Sequence, residues 1–153
     1  MSRTVPGTGQ GHEGNWSIPV KNVIEQGAVR KFTDAIGDPN PLYRDDDFAR
    51  HTRRKRVQAP PTFACTLDYG VLAGVSLSEA GLIHGEQSFR FARPLFVGDE
   101  LWCSQRLEDV TTRTVAGVAT TYHVVLQTGV DGDGETVFTA RTTVIRRGGG
   151  GVS

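Results

Sequence analysis

Hydrophobic residues change their spacing twice along this chain. Trp16 to Val20 alternates weakly and reads as a short strand or an extended lead-in. From about Val23 to Ile36 the apolar positions Ala28, Val29, Phe32, Ala35 and Ile36 fall at helical spacing and give one face. Gly37 is suited to cap that helix and Pro39 prevents its continuation. Asp45, Asp46 and Asp47 can start a short helix through Arg50, because carboxylates favour a helix N-terminus. Pro60-Pro61-Thr62 then predicts a second helix over about Phe63 to Ala73, with Thr62 as its cap. Phe63, Ala64, Cys65, Leu67, Tyr69, Val71 and Leu72 make that stretch apolar on most sides, so it is expected to be buried.

After Gly81 the period falls to two. Strands are predicted over Ser88 to Arg93, Leu101 to Leu107, Thr120 to Gln127 and Thr136 to Arg146. Asp131-Gly132-Asp133-Gly134 predicts a hairpin turn between the last two. Helices first and antiparallel strands afterwards is an α+β order: one buried helix wrapped by a sheet.

The chain has 153 residues, which suits one domain. Eight of its 19 glycines (Gly7, Gly9, Gly11, Gly14 and Gly148 to Gly151) sit in poorly apolar flanks. Residues 1–15 and 148–153 are therefore expected to be flexible tails around a domain of residues 16–147. The 17 basic and 17 acidic residues balance, which gives no electrostatic reason to expect nucleic acid as a partner. Cys65 and Cys103 have neither disulfide-framework nor metal-ligand spacing. The Asp131 hairpin lacks the later glutamate of a calcium loop, so no metal is expected. No run reaches membrane-span length, and a soluble cytoplasmic protein is the default expectation.

Four strings carry a family resemblance: Ile36-Gly37-Asp38-Pro39-Asn40-Pro41-Leu42-Tyr43, Ala59-Pro60-Pro61-Thr62-Phe63, His84-Gly85-Glu86-Gln87-Ser88-Phe89, and Arg93 to Leu101. In this order the chain resembles the MaoC-like dehydratases, in particular their N-terminal-type domain and the accessory subunits of (3R)-hydroxyacyl-ACP dehydratases. The resemblance covers about residues 17–147. It implies a single hot-dog fold, an antiparallel sheet around a central helix. It implies no cofactor, and an acyl-CoA or acyl-ACP substrate. It also implies, as partner, a catalytic hot-dog subunit or a second copy of this chain.

In that family an Asp is followed five positions later by a His, and the two hold the water that is added or lost. Asp38 matches the Asp, whereas Tyr43 stands at the His position. A phenol has an ordinary pKa of about 10 against about 6.5 for imidazole, so Tyr43 is a poor base at neutral pH. Asp38 can equally be a turn former. His84, near Glu86 on a predicted strand, is the other candidate for acid-base chemistry, with a structural or interface role as the alternative. The resemblance marks Asn40, Thr62 and Phe63 as substrate-side positions. Arg53, Arg54, Lys55 and Arg56 can meet CoA phosphates or an acidic carrier protein, or form a solvated loop balanced by Asp45 to Asp47. The expected function is an accessory, tunnel-forming dehydratase subunit. A self-sufficient homodimeric hydratase using Asp38 and a non-catalytic acyl-thioester binding protein are the alternatives.

Overall fold

The computed structural model describes residues 14–75 and 81–148. Strand β1 (Val20–Val23) leads into helix α1 (Gln26–Ile36) and a short helix α2 (Asp46–Arg50). Four longer strands follow: β2 (Leu82–Phe91), β3 (Glu100–Val115), β4 (Val118–Val130) and β5 (Thr136–Arg147). All five form one antiparallel sheet in the order β1-β3-β4-β5-β2. The α+β class expected from the sequence is the one observed. The expected tails lie outside the described residues, except that Gly14 N–H donates to Leu107 O and Gly148 N–H to Ala119 O.

Helix α1 starts at Gln26 rather than at Val23 because Ile24 is already committed. Its N–H donates to Asp99 O and its carbonyl accepts from Gly98 N–H. The helix ends as expected: Gly37 adopts φ +69°, and Asp38 N–H closes back onto Thr33 O at 2.9 Å. The strands outrun their expected limits. Ala116 and Gly117, both at positive φ, let β3 turn into β4 with Val115 opposite Val118.

The helix expected over Phe63 to Ala73 does not form. A short 3-10 turn, Pro61–Thr66, stands in its place, and Thr62 does not cap it. Beyond it Leu67 is extended and Gly70 adopts φ +76°. The reason lies in side chains distant in sequence, which take the backbone groups a helix would use internally. Asn22 both donates to Asp68 O (2.8 Å) and accepts from Asp68 N–H (2.9 Å). Ser17 donates to Tyr69 O at 2.5 Å and Gln105 to Gly70 O at 2.7 Å. With those partners supplied, extended backbone satisfies its polar groups as well as a helix does.

The core lies between one face of the sheet and the α1–Pro61 layer. Val29 of α1, Phe63, Ala64 and Tyr69 meet Leu101, Cys103 and Phe138. Phe32 meets Phe63 edge-on at 5.6 Å, and Phe138 sits between Tyr69 (6.3 Å) and Phe91 (5.7 Å). Burying each such ring stabilises the fold by about 1.5–3 kcal/mol. No helix among the described residues is long and apolar enough to cross a membrane.

Candidate active site

The loop after α1 is built by its own polar side chains. Asn40 N–H donates to Asp38 Oδ1 and Leu42 N–H to Asn40 Oδ1, both at 3.0 Å. The second bond caps a 3-10 turn over Pro41–Tyr43. Asp38 thus uses one carboxylate oxygen to hold the turn that presents Tyr43. Tyr43 in turn packs against the core cluster. Burial pushes its phenol above the ordinary value, and the Asp38 charge pushes it further the same way. Arg44, the one cation adjoining Tyr43 in sequence, is drawn off to Asp34 and to Thr33 Oγ1. Asp34, Gly37, Asp38, Pro39 and Arg44 line a small cavity of about 200 Å³.

Among the described residues His84 does not line the cavity beside this loop. It lies in β2 opposite Val144. The spacing to Glu86 also misleads. Gly85 forms a bulge, so His84 faces Val144 while Glu86 faces Thr143, and the pair falls on opposite faces. A Cβ at Gly85 would come within 2.7 Å of Ile145 Cδ1, so a larger residue there would need the Ile145 side chain to shift. Asn40 and Thr62 are exposed, whereas Phe63 is a core residue against Phe32.

Arg53, Arg54 and Lys55 are exposed, but Arg56 is held. Its guanidinium lies 4.5 Å from the centre of the Phe96 ring and 3.5 Å from Asp99. Two of the three acidic residues expected to balance the loop are engaged in α2 instead. Asp45 accepts from Phe48 N–H, and Asp47 pairs with Arg50. Lys55 and Arg56 share with Arg50 and Asp46 an open cleft of about 480 Å³.

Sequence reasoning missed a row of polar side chains on the inner face of the sheet. Gln127 donates to Gln105 Oε1 at 3.3 Å, and Thr142 Oγ1 donates to Gln127 Oε1 at 3.4 Å. Gln87 lies across from Thr142. A polar residue at an inward position of each strand was the available signal, once pairing fixes which face is inward.

Residues 12–140 match a family model described as FAS1-like, dehydratase domain region. The chain belongs to this dehydratase family. A UPF0336 protein of Thermobifida fusca is 33% identical over 139 residues, covering 87% of this chain and 89% of that protein. Among solved structures, the ChsH1-ChsH2 complex from Mycobacterium tuberculosis matches with a TM-score of 0.72 at 22% identity. That match covers 90% of this chain and 92% of the other. The C-terminally truncated HadBC complex, a 3R-hydroxyacyl-ACP dehydratase of the same organism, matches at 0.65 and 21%, covering 86% and 95%. At such identities the likeness establishes the fold, which is the hot-dog fold expected from the four strings.

For a dehydratase-family domain the Asp38 loop is chemically lopsided. It offers a carboxylate and a neutral phenol that resists ionisation. The phenol can donate a hydrogen bond but cannot take a proton near pH 7. His123 adds a pH signature elsewhere. It is buried in β4, and burial holds its pKa below the ordinary histidine value, with Arg146 adding to the effect against a backbone hydrogen bond at Val144. In the unfolded chain it binds a proton at about pH 6.5. Its contribution to stability is therefore complete above that pH and is lost as the pH falls through the folded value. Urea midpoints measured from pH 7.5 down to 5 are expected to fall, and to fall less in His123→Gln. Equal slopes for the two proteins would remove His123 as the cause.

Proposed function

We propose that this chain is an accessory, tunnel-forming subunit of a (3R)-hydroxyacyl-thioester dehydratase, or of the enzyme run in reverse as an (R)-specific enoyl hydratase. It works beside a catalytic hot-dog subunit. The observation that carries the reading is the Tyr43 phenol, partly buried beside Asp38 and shifted away from ionisation. Dehydration removes a proton from the carbon next to the thioester carbonyl and a hydroxide from the next carbon, releasing water. That needs a base near its working pKa, together with donors for the enolate-like oxygen. The Asp38 loop lacks such a base. The two-subunit composition of the ChsH1-ChsH2 and HadBC complexes supports a partnered arrangement. Asp38 is then a turn-holding residue, and Tyr43 a hydrogen-bond donor and wall. Exposed Arg53, Arg54 and Lys55 are the side chains available to CoA phosphates or a carrier protein.

Co-expression with a hot-dog protein that keeps both Asp and His tests this reading. The two chains are expected to co-purify with dehydratase activity that neither shows alone. Asp38→Asn in the pair is expected to leave kcat within about threefold, far from the 10²–10⁴-fold loss that follows removal of a general base. Full activity of this chain by itself, abolished by Asp38→Asn, would establish the self-sufficient homodimer instead. Acyl binding without any activity in the pair would leave only a binding protein.

A further inference from the structure

The polar row on the inner face does not suit a plain alkyl chain. Gln105, Gln127 and Thr142 share the sheet side of a cavity of about 310 Å³ with Val125 and Val144, and Val71, Leu72 and Val75 complete its lining. At about 30 Å³ per water-sized group, that is room for about ten. Thr142 is only 6% exposed, while Gln105 and Gln127 are half-buried.

The hydrogen bonds here run in one direction. Thr142 Oγ1 donates to Gln127, Gln127 donates to Gln105, and Gln105 donates to Gly70 O. Each amide nitrogen carries two N–H groups, and each of these two amides spends one in the chain. The unfilled valences named here are thus donors. Pressing methylenes against them would leave buried N–H groups unsatisfied, an outcome proteins avoid. An oxygen in the ligand would satisfy them.

We infer that this inner-face cavity selects an acyl group bearing a hydrogen-bond-accepting oxygen, such as a ketone, partway along its chain, with Gln105 and Gln127 as its donors. The inference rests on the acyl-thioester reading above and names the class of acyl group. A site built to hydrogen-bond a substrate oxygen also discriminates against the analogue that lacks it, because its donors are then stranded.

The test is calorimetric binding of octanoyl-pantetheine and of its 5-oxo and 7-oxo counterparts. It uses the full chain, and the pair with its hot-dog partner where co-expression yields one. At least one oxo probe is expected to bind about tenfold more tightly than the alkyl probe. Gln127→Leu is expected to bring that ratio to within about twofold while the alkyl probe binds at least as well as before. Gln105→Leu is expected to do the same, with some loss of Tm because its bond to Gly70 O goes with it. Equal binding of all probes to the unmodified protein, or a preference that survives in both variants, overturns the inference and leaves the dehydratase reading standing. Failure of every probe to bind overturns both.

Discussion

Replacing Gly129 by alanine is expected to cost the fold about 3 kcal/mol. Gly129 lies directly across from Phe138 in the β4–β5 pairing. A Cβ there would come within 2.2 Å of Phe138 Cε1 and 2.7 Å of Cζ. The ring has no free direction in which to retreat. It is 1% exposed and held between the rings of Tyr69 and Phe91. Overpacking a filled core typically costs about 1–3 kcal/mol, and an overlap this deep belongs at the upper end. Against a total stability of about 5–15 kcal/mol, this is a large share. Urea denaturation should show the midpoint falling with the slope unchanged. Phe138→Leu added to Gly129→Ala is expected to recover part of the loss, although Phe138→Leu alone is destabilising. A wild-type midpoint for Gly129→Ala would mean the two strands are not this close.

The second large effect is expected at Asp99. Its carboxylate is 8% exposed and joins three groups. Oδ2 accepts from Arg93 Nη1 at 2.7 Å and from Phe96 N–H at 2.9 Å, and Arg56 approaches Oδ1 at 3.5 Å. Asp99→Ala strands a buried N–H and two guanidinium groups. Breaking a fully buried pair costs about 3–5 kcal/mol, but both arginines are partly exposed, which screens their share. A loss of about 2–3 kcal/mol is expected for Asp99→Ala. A smaller loss is expected for Asp99→Asn, which keeps an acceptor for Phe96. The damage should spread to the candidate site. The segment Asp99 fastens bonds through Leu95 O to Ala59 and through Val97 N–H to Val57, and Gln58 N–H donates to Leu42 O beside Tyr43. Hydrogen exchange at Ala59 and Tyr43 amides is therefore expected to quicken in Asp99→Ala. Thermal and urea stability equal to Asp99→Asn would show the Phe96 bond to be irrelevant.

What could be read in the sequence was whatever depends on near neighbours. Helix α1, its Gly37 cap, the Asp131 hairpin and the β-branched strands each follow from residues a few positions apart. The Asp38–Tyr43 loop was equally visible, since its two side-chain caps act over two residues. The pattern over Phe63–Ala73 predicts a helix that does not form, because the partners of its backbone, Ser17, Asn22 and Gln105, lie 35 to 52 residues away. An apolar run of that length has the same pattern in a helix as in buried extended chain. His84 and Glu86, two apart, would share a face in an unbroken strand, and nothing short of the pairing register reveals the bulge at Gly85. The inner polar row stayed hidden for the same reason. Gln87, Gln105, Gln127 and Thr142 become neighbours only after four strands have aligned.

The strand order also sets a timetable for synthesis. Among the described residues, β1 pairs only with β3, and β2 only with β5. A ribosome therefore releases everything up to Asp99 before any sheet pairing can begin, and β2 must wait until the last strand emerges. At about 5–20 residues per second, the interval between Phe91 and Arg147 is about 3–11 seconds. Throughout it a strand carrying Leu82, Ile83, Phe89 and Phe91 is unpaired on the nascent chain. The hazard for this protein is thus concentrated in the time before it is finished, and a chaperone that covers Leu82–Phe91 would act there.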